Sequence, residues 1–316
     1  MSRPSLRLFR QLAIALLALG LAGCVAQSDP SSSAAGSAAL TDQAFLMGAP
    51  WNDGQAEVAF YDVQRTVDQT GQPNEQHFTM GTYLVKHNFD PEAMTKTTGD
   101  RGVPAFKYAQ FFEFVSGSYQ YKRAHVTNVR QRDLRPLKHS FTNFDWCSNL
   151  YREQAFGPDG TVRSLKRSDD YGNSRSTYDY RAQTYPAAQL PLLVRGLSFP
   201  DSSDGQPART FSVVHADGSY VEARAERLGT EQVTTPAGTT QAEKIAVHYD
   251  APVPTPLAGG PSDTLETYWR GTGPQRPLLK VAAGNGRYRM ELIEKVRSPY
   301  WKEDVFKRLE RVETHP

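Results

Sequence analysis

The sequence predicts a mainly β protein. From Trp51 onward most apolar residues recur at every second position, the period of a half-buried strand. The stretches between them are short clusters of Gly, Pro, Asn, Asp and Ser, which are turn chemistry. The 316-residue chain also carries 15 Tyr, 15 Phe and 4 Trp, enough for a sizeable core.

In chain order, Ala56, Val58 and Phe60 share one side of a first strand, and residues 68–74 form a turn cluster. Phe78, Met80, Thr82 and Leu84 alternate in the next strand, and residues 88–104 read mainly as loop. Phe106, Tyr108, Phe112 and Phe114 fall on one face of a strand that turns at Ser116-Gly117. Tyr119, Tyr121, Arg123 and His125 continue its hairpin partner. Residues 134–156 follow, stopped by Gly157-Pro158-Asp159-Gly160, and shorter strands are expected at 161–167 and 176–185.

Residues 187–197 break the rhythm. Leu190, Leu193, Val194 and Leu197 sit at helical spacing, with Gly196 near a plausible stop. Pro191 excludes a long regular helix, so a short helix is expected, either kinked or beginning near Leu190. Strands then resume. Asp217-Gly218 marks a hairpin between 210–215 and 219–226. Strands at 231–235 and 239–249 flank Pro236-Ala237-Gly238. The last strands are 265–269, 277–281 and 287–293, and a short C-terminal helix is expected over 303–312.

The N-terminus is of another kind. Arg3, Arg7 and Arg10 precede the apolar run Leu12–Leu21, about half the roughly 20 residues of a spanning helix. This layout is an export signal rather than a membrane span. It ends in Leu21-Ala22-Gly23-Cys24, which resembles the bacterial lipobox. That resemblance implies cleavage before Cys24 and acylation of its sulfur and new amine. Several acyl chains anchor stably where a single chain does not. Val25 rather than Asp after the Cys resembles the default outer-membrane destination, facing the periplasm. The expected organisation is a signal at 1–23, a flexible tether at 24–45 and a β-rich domain at 46–316, either whole or as packed halves 46–185 and 186–316. Loss of three Arg and no acid turns the formal charge of +2 into about −1. A near-neutral body offers no electrostatic argument for nucleic acid.

The segment from Leu190 to Ile293 resembles an uncharacterised family of bacterial envelope β-proteins. The matching pieces are Leu192-Leu-Val-Arg195, Thr235-Pro-Ala-Gly-Thr239, Trp269 and Pro277-Leu-Leu-Lys-Val281. The resemblance implies a curved antiparallel sheet, a half-barrel like that of lipoprotein-localisation factors, wrapped over the short helix. Asp145-Trp146-Cys147 is similar to an acidic-Trp-Cys element of other unassigned bacterial lipoproteins. Neither resemblance carries catalytic residues.

With Cys24 lipidated, Cys147 is left as a lone thiol, which has no internal disulfide partner. His139, Asp145 and Cys147 form a nucleophilic set if the fold unites them; a packed Cys beside Trp146 is the plainer expectation. Asp145, Trp146 and Cys147 are therefore the residues to follow, as ligand-lining or reactive groups. No catalytic, cofactor or metal residues are assigned. The His residues are scattered, Gly271-Thr-Gly273 and Gly284-Asn-Gly286 lack the strand-to-helix context of a phosphate cradle, and Gly-x-Ser-x-Gly is absent. The aromatic face Phe106, Tyr108, Phe112, Phe114, Tyr119 and Tyr121 lines a groove or fills the core. Lys122, Arg123, Arg130, Arg132 and Arg135 form a solvated strand face or meet an anionic envelope partner. The function expected is non-catalytic, binding an apolar ligand or an envelope protein or serving as a scaffold; the alternative is a thiol-dependent hydrolase centred on Cys147.

Overall fold

Alternating residues become strands whose two faces are buried differently. The computed structural model describes residues 39–69, 71–145, 148–199, 207–253 and 263–304. Its strands are β1 (Ala56–Gln69), β2 (Gln72–Asp90), β3 (Thr95–Lys96), β4 (Val103–Ser116), β5 (Tyr119–Arg130), β6 (Pro136–Phe144), β7 (Asn149–Phe156), β8 (Thr161–Ser168), β9 (Ser174–Asp179) and β10 (Thr184–Pro186). The second run is β11 (Ala208–Val214), β12 (Tyr220–Thr235), β13 (Gly238–Tyr249), β14 (Leu265–Gly271), β15 (Leu278–Ala283) and β16 (Tyr288–Ser298). Two short α-helices, α1 (Gln43–Leu46) and α2 (Leu190–Gly196), complete the regular structure with two single 3-10 turns.

All strands belong to one sheet of order β10-β11-β12-β13-β14-β15-β16-β1-β2-β4-β5-β6-β7-β8-β9, with β3 on the flank of β2. The chain enters at the middle, winds out to β9, crosses to the opposite end and winds back to meet β1. This crossing fixes the shape. β9 and β10 end the path on opposite sides, yet only residues 180–183 separate them. A linker of that length spans at most about 18 Å. A flat sheet of this many strands sets its edges roughly 65 Å apart. The sheet must therefore curl until its ends nearly meet. They are joined by side chains rather than by a ladder. Tyr220 Oη donates to the Asp179 carbonyl at 2.7 Å, Gln154 Nε2 to the His215 carbonyl at 2.9 Å, and Ser164 Oγ to the Ala216 carbonyl at 3.2 Å. Phe156, Val162 and Val214 pack behind this seam. The result is the expected mainly β fold: one large curved open sheet over a short helix.

α2 lies in the concavity, and all seven of its residues are buried. A 3-10 turn (Ala187–Gln189) leads into it, so the helix begins at Leu190 with Pro191 in its first turn. Proline costs little there because that N–H has no helical acceptor. The C-terminal carbonyls are taken up by Arg270, whose Nη1 donates to Val194, Arg195 and Leu197 at 2.7, 3.0 and 2.8 Å. Arg270 Nε reaches Glu243 at 2.7 Å. A helix this short has little stability of its own. It is held by apolar packing of Leu190, Leu192, Leu193 and Val194 into the main core, and by this cap.

Several boundaries differ from the sequence expectation. The folded body begins before residue 46: Thr41 bridges Leu197, Asp42 caps α1 by accepting from the Ala44 N–H at 2.8 Å, and Phe45 is buried. Phe45 is a core residue, so the tether cannot extend to it. The two sequence halves share one sheet, since β1 pairs with both β2 and β16. Ala56, Val58 and Phe60 do share a face, but it is the outer one, covered by Ile293, Val296 and Tyr300. The inner face of β1 carries Ala59, Tyr61 and Val63. Residues 219–226 and 231–235 form one strand rather than two, bent by a register shift at Gly229, whose φ is +136°. Residues 305–312 of the expected C-terminal helix lie outside the described residues, as do residues 1–38 with Cys24. Among the described residues no helix is long and apolar enough to cross a membrane.

Candidate functional site

Register decides which side chains meet on the concave wall. Antiparallel pairing aligns Gln110, His125, Phe141, Arg152 and Lys166 in one row across β4 to β8. A second row is Phe112, Arg123, Asn143 and Leu150. A third is Tyr108, Thr127, His139, Gln154 and Ser164. The β4 members of these rows lie under α2 and are core. Beyond β4 the wall leaves the helix and opens.

The opening is a groove of about 1070 Å³ between the β5–β9 wing and the β10–β11 edge. Its apolar lining comes from Tyr121, Phe141 and Leu150 on one side and from Val213, Val214 and Val253 on the other. Three hairpin tips, β4–β5, β6–β7 and β8–β9, lie at the same end of the wing. They leave Val115, Phe144 and Tyr171 exposed at 66%, 53% and 69%. Of these tips, Tyr119 and Tyr171 line the groove and give its mouth an aromatic edge, whereas Val115 and Phe144 belong to the outer face.

Polar groups are set into the wall. The His125 and His139 rings stack with centroids 5.6 Å apart, and His125 Nδ1 lies 3.3 Å from His139 Nε2. Burial holds His139 at a pKa of about 4. Burial also pushes His125 well below the usual imidazole value, helped by His139, Arg123 and Arg152. Both rings are therefore neutral near pH 7. Arg123 lies over the rings of Phe114 and Tyr121, at 5.0 and 5.7 Å, and its Nε donates to Asn143 Oδ1 at 2.9 Å. The buried Arg65 also lies over Phe114, at 4.5 Å, a second cation–π contact on the same ring.

No family model matches the sequence, and no curated protein matches it either. One solved structure is similar in shape. It is the crystal structure of a beta-barrel-like protein of domain of unknown function DUF1849 from Brucella abortus. The likeness has a TM-score of 0.43 and 8% identity, over 77% of this chain and 98% of that one.

The residues singled out from the sequence are placed as follows. Asp145 and His139 both line the groove. Their bonds differ: Asp145 accepts from Asn143 Nδ2 at 3.0 Å and from the Ser148 N–H at 2.7 Å, whereas His139 meets His125 and Gln154. Trp146 and Cys147 lie outside the described residues, and so does the proposed thiol site. The aromatic face divides. Phe106, Tyr108, Phe112 and Phe114 are core, while Tyr119 and Tyr121 line the groove. The basic run divides too. Arg123 enters the groove, Arg130 pairs with Asp133, Lys122 pairs with Glu113 at 2.9 Å, and Arg135 stacks on Tyr180. Sequence reading missed Arg152 and Lys166, because only the β7–β8 register brings them together. It also missed Glu266, fully buried and accepting from the hydroxyls of Tyr249, Tyr268 and Tyr288. An acid inside an apolar strand flanked by tyrosines is the signal that marks it.

Proposed function

We propose that this protein is a lipid-anchored envelope protein that holds an apolar or amphiphilic ligand in its groove without transforming it. The observation that carries the reading is the groove itself. Its volume is at the top of the range of ligand pockets, and its lining sets aliphatic and aromatic side chains beside many polar and charged ones, the mixed surface an amphiphile needs. The aromatic edge of its mouth suits the entry of a ligand from a lipid phase. Cys24, acylated, supplies the anchor.

The test is a fluorescence titration of the mature protein with phenylnaphthylamine, an uncharged apolar probe. Saturable enhancement at one probe per chain is expected. Leu150→Glu, which puts a charge into the lining, weakens binding about tenfold, the loss of one buried aliphatic contact. Unsaturable binding, or binding unchanged in Leu150→Glu, contradicts the reading.

A further inference from the structure

The cross-strand row that places Phe141 beside Arg152 places Lys166 directly opposite Arg152 on the next strand. Two like charges facing each other across an antiparallel pair oppose folding. Here both project from the concave wall into the groove. Lys166 Nζ donates to the Tyr171 carbonyl at 2.8 Å, which leaves its charge unneutralised. Arg152 has no hydrogen bond or ion pair among the described residues. Arg123 stands one row away.

Asp145 acts on Arg123, but none of the acids lining the groove forms an ion pair with Arg152 or Lys166 among the described residues. Glu153 belongs to the opposite face of β7, where it pairs with Lys138 at 2.9 Å and accepts from Tyr151. Asp217 is occupied by the Ser219 N–H and hydroxyl, at 2.9 and 2.7 Å. Asp145 is engaged in the β6–β7 turn, and Asp170 sits in the β8–β9 turn. A second observation points the same way. The hydroxyl of Ser148, a residue only 8% exposed, lines the groove with no hydrogen-bond partner among the described residues. The wall therefore offers two cations without an ion pair and, at its hairpin end, a spare donor, while Val213, Val214 and Val253 give the opposite side an aliphatic part.

We propose that the groove is built for an amphiphile with an anionic head, taken by Arg152 with Lys166 opposite, its apolar body lying along the β10–β11 side. This rests on the groove-binding reading above and adds the class of ligand. An anion held by a guanidinium in a partly desolvated wall makes the stronger, charge-assisted kind of hydrogen bond.

The experiment compares two probes with the same aromatic body, anilinonaphthalene sulfonate and the uncharged phenylnaphthylamine. Wild-type protein is expected to bind the sulfonate at least about tenfold more tightly. Arg152→Gln removes most of that preference, lowering sulfonate affinity by far more than phenylnaphthylamine affinity; Arg152→Lys retains part of it, and Lys166→Gln serves if Arg152→Gln fails to fold. Dodecanoate is expected to displace the sulfonate probe at far lower concentration than inorganic phosphate. Equal affinity for the two probes, or a preference that survives in both Arg152→Gln and Lys166→Gln, overturns the anion site while the groove reading stands. Displacement by phosphate as readily as by dodecanoate makes the occupant a free anion and overturns the amphiphile. Failure of both probes to bind wild type brings down the groove reading itself.

Discussion

Replacing Arg195 with Met is expected to lower the stability of the domain by about 3–5 kcal/mol, the cost of stranding a buried charge. Arg195 and Glu57 lie 138 residues apart in the sequence and meet under α2, each side chain 4% exposed. The pair is bidentate, at 2.8 and 3.0 Å. The guanidinium also donates to the carbonyls of Arg276 and Gln275 at 2.8 and 2.7 Å and lies over Phe45 and Trp51. Without Arg195, Glu57 is left lacking its bidentate partner in a site that water does not reach. The double variant Glu57→Leu, Arg195→Met recovers a large part of the loss, because no charge remains to be buried. Urea denaturation at a common slope measures both. A loss below about 1 kcal/mol in the single variant contradicts the role given to this pair in seating α2.

The second large effect is acid lability in a window set by histidine. His139 and His87 are held near pKa 4 by burial, and His125 is pushed well down by the same cause. The ordinary value is 6.5. Between these values the unfolded chain binds protons that the folded chain refuses, so stability is complete above about pH 6.5 and is lost as the pH falls toward 4. At 1.36 kcal/mol per unit, His139 alone contributes on the order of 3 kcal/mol across the window. Protonating both stacked rings sets like charges against each other across β5 and β6, which adds to the loss. Asp90, held below its ordinary 3.8 chiefly by the Ala93 N–H, loses its contribution only at lower pH. Melting temperatures at pH 7.5, 6, 5 and 4.5 follow the loss, and His139→Gln flattens it. A melting temperature constant over this range, or a slope unchanged in His139→Gln, contradicts the assignment.

The local structure was legible in residues that act locally. Alternation placed Phe106, Tyr108, Phe112 and Phe114 on one face, Asp217-Gly218 marked its hairpin, and Pro191 limited the helix to a short one, kinked or beginning near Leu190, of which the second is found. The strand that Gly229 bends was split in two because a bulge interrupts the period without ending the strand. The groove was not legible. It exists because residues 180–183 tie together the two ends of the sheet, a fact of topology rather than of composition. The same holds for Glu57 with Arg195, and for Arg152 beside Lys166: each residue alone reads as an exposed charge on a strand or helix, and only register or long-range packing makes a site. The basic run near Arg123 looked uniform in sequence, but alternation sends its members to different faces.

Native mass spectrometry of the full-length protein, extracted gently from the membranes of its own host, tests the central claim most directly. The predicted spectrum has a chain beginning at Cys24 and carrying covalent acyl chains, with a second, non-covalent mass of a single amphiphile that collisional activation removes. A chain that retains residues 1–23, or a lipidated chain that never carries an added mass even when amphiphile is supplied, contradicts a lipid-anchored protein whose groove holds a ligand.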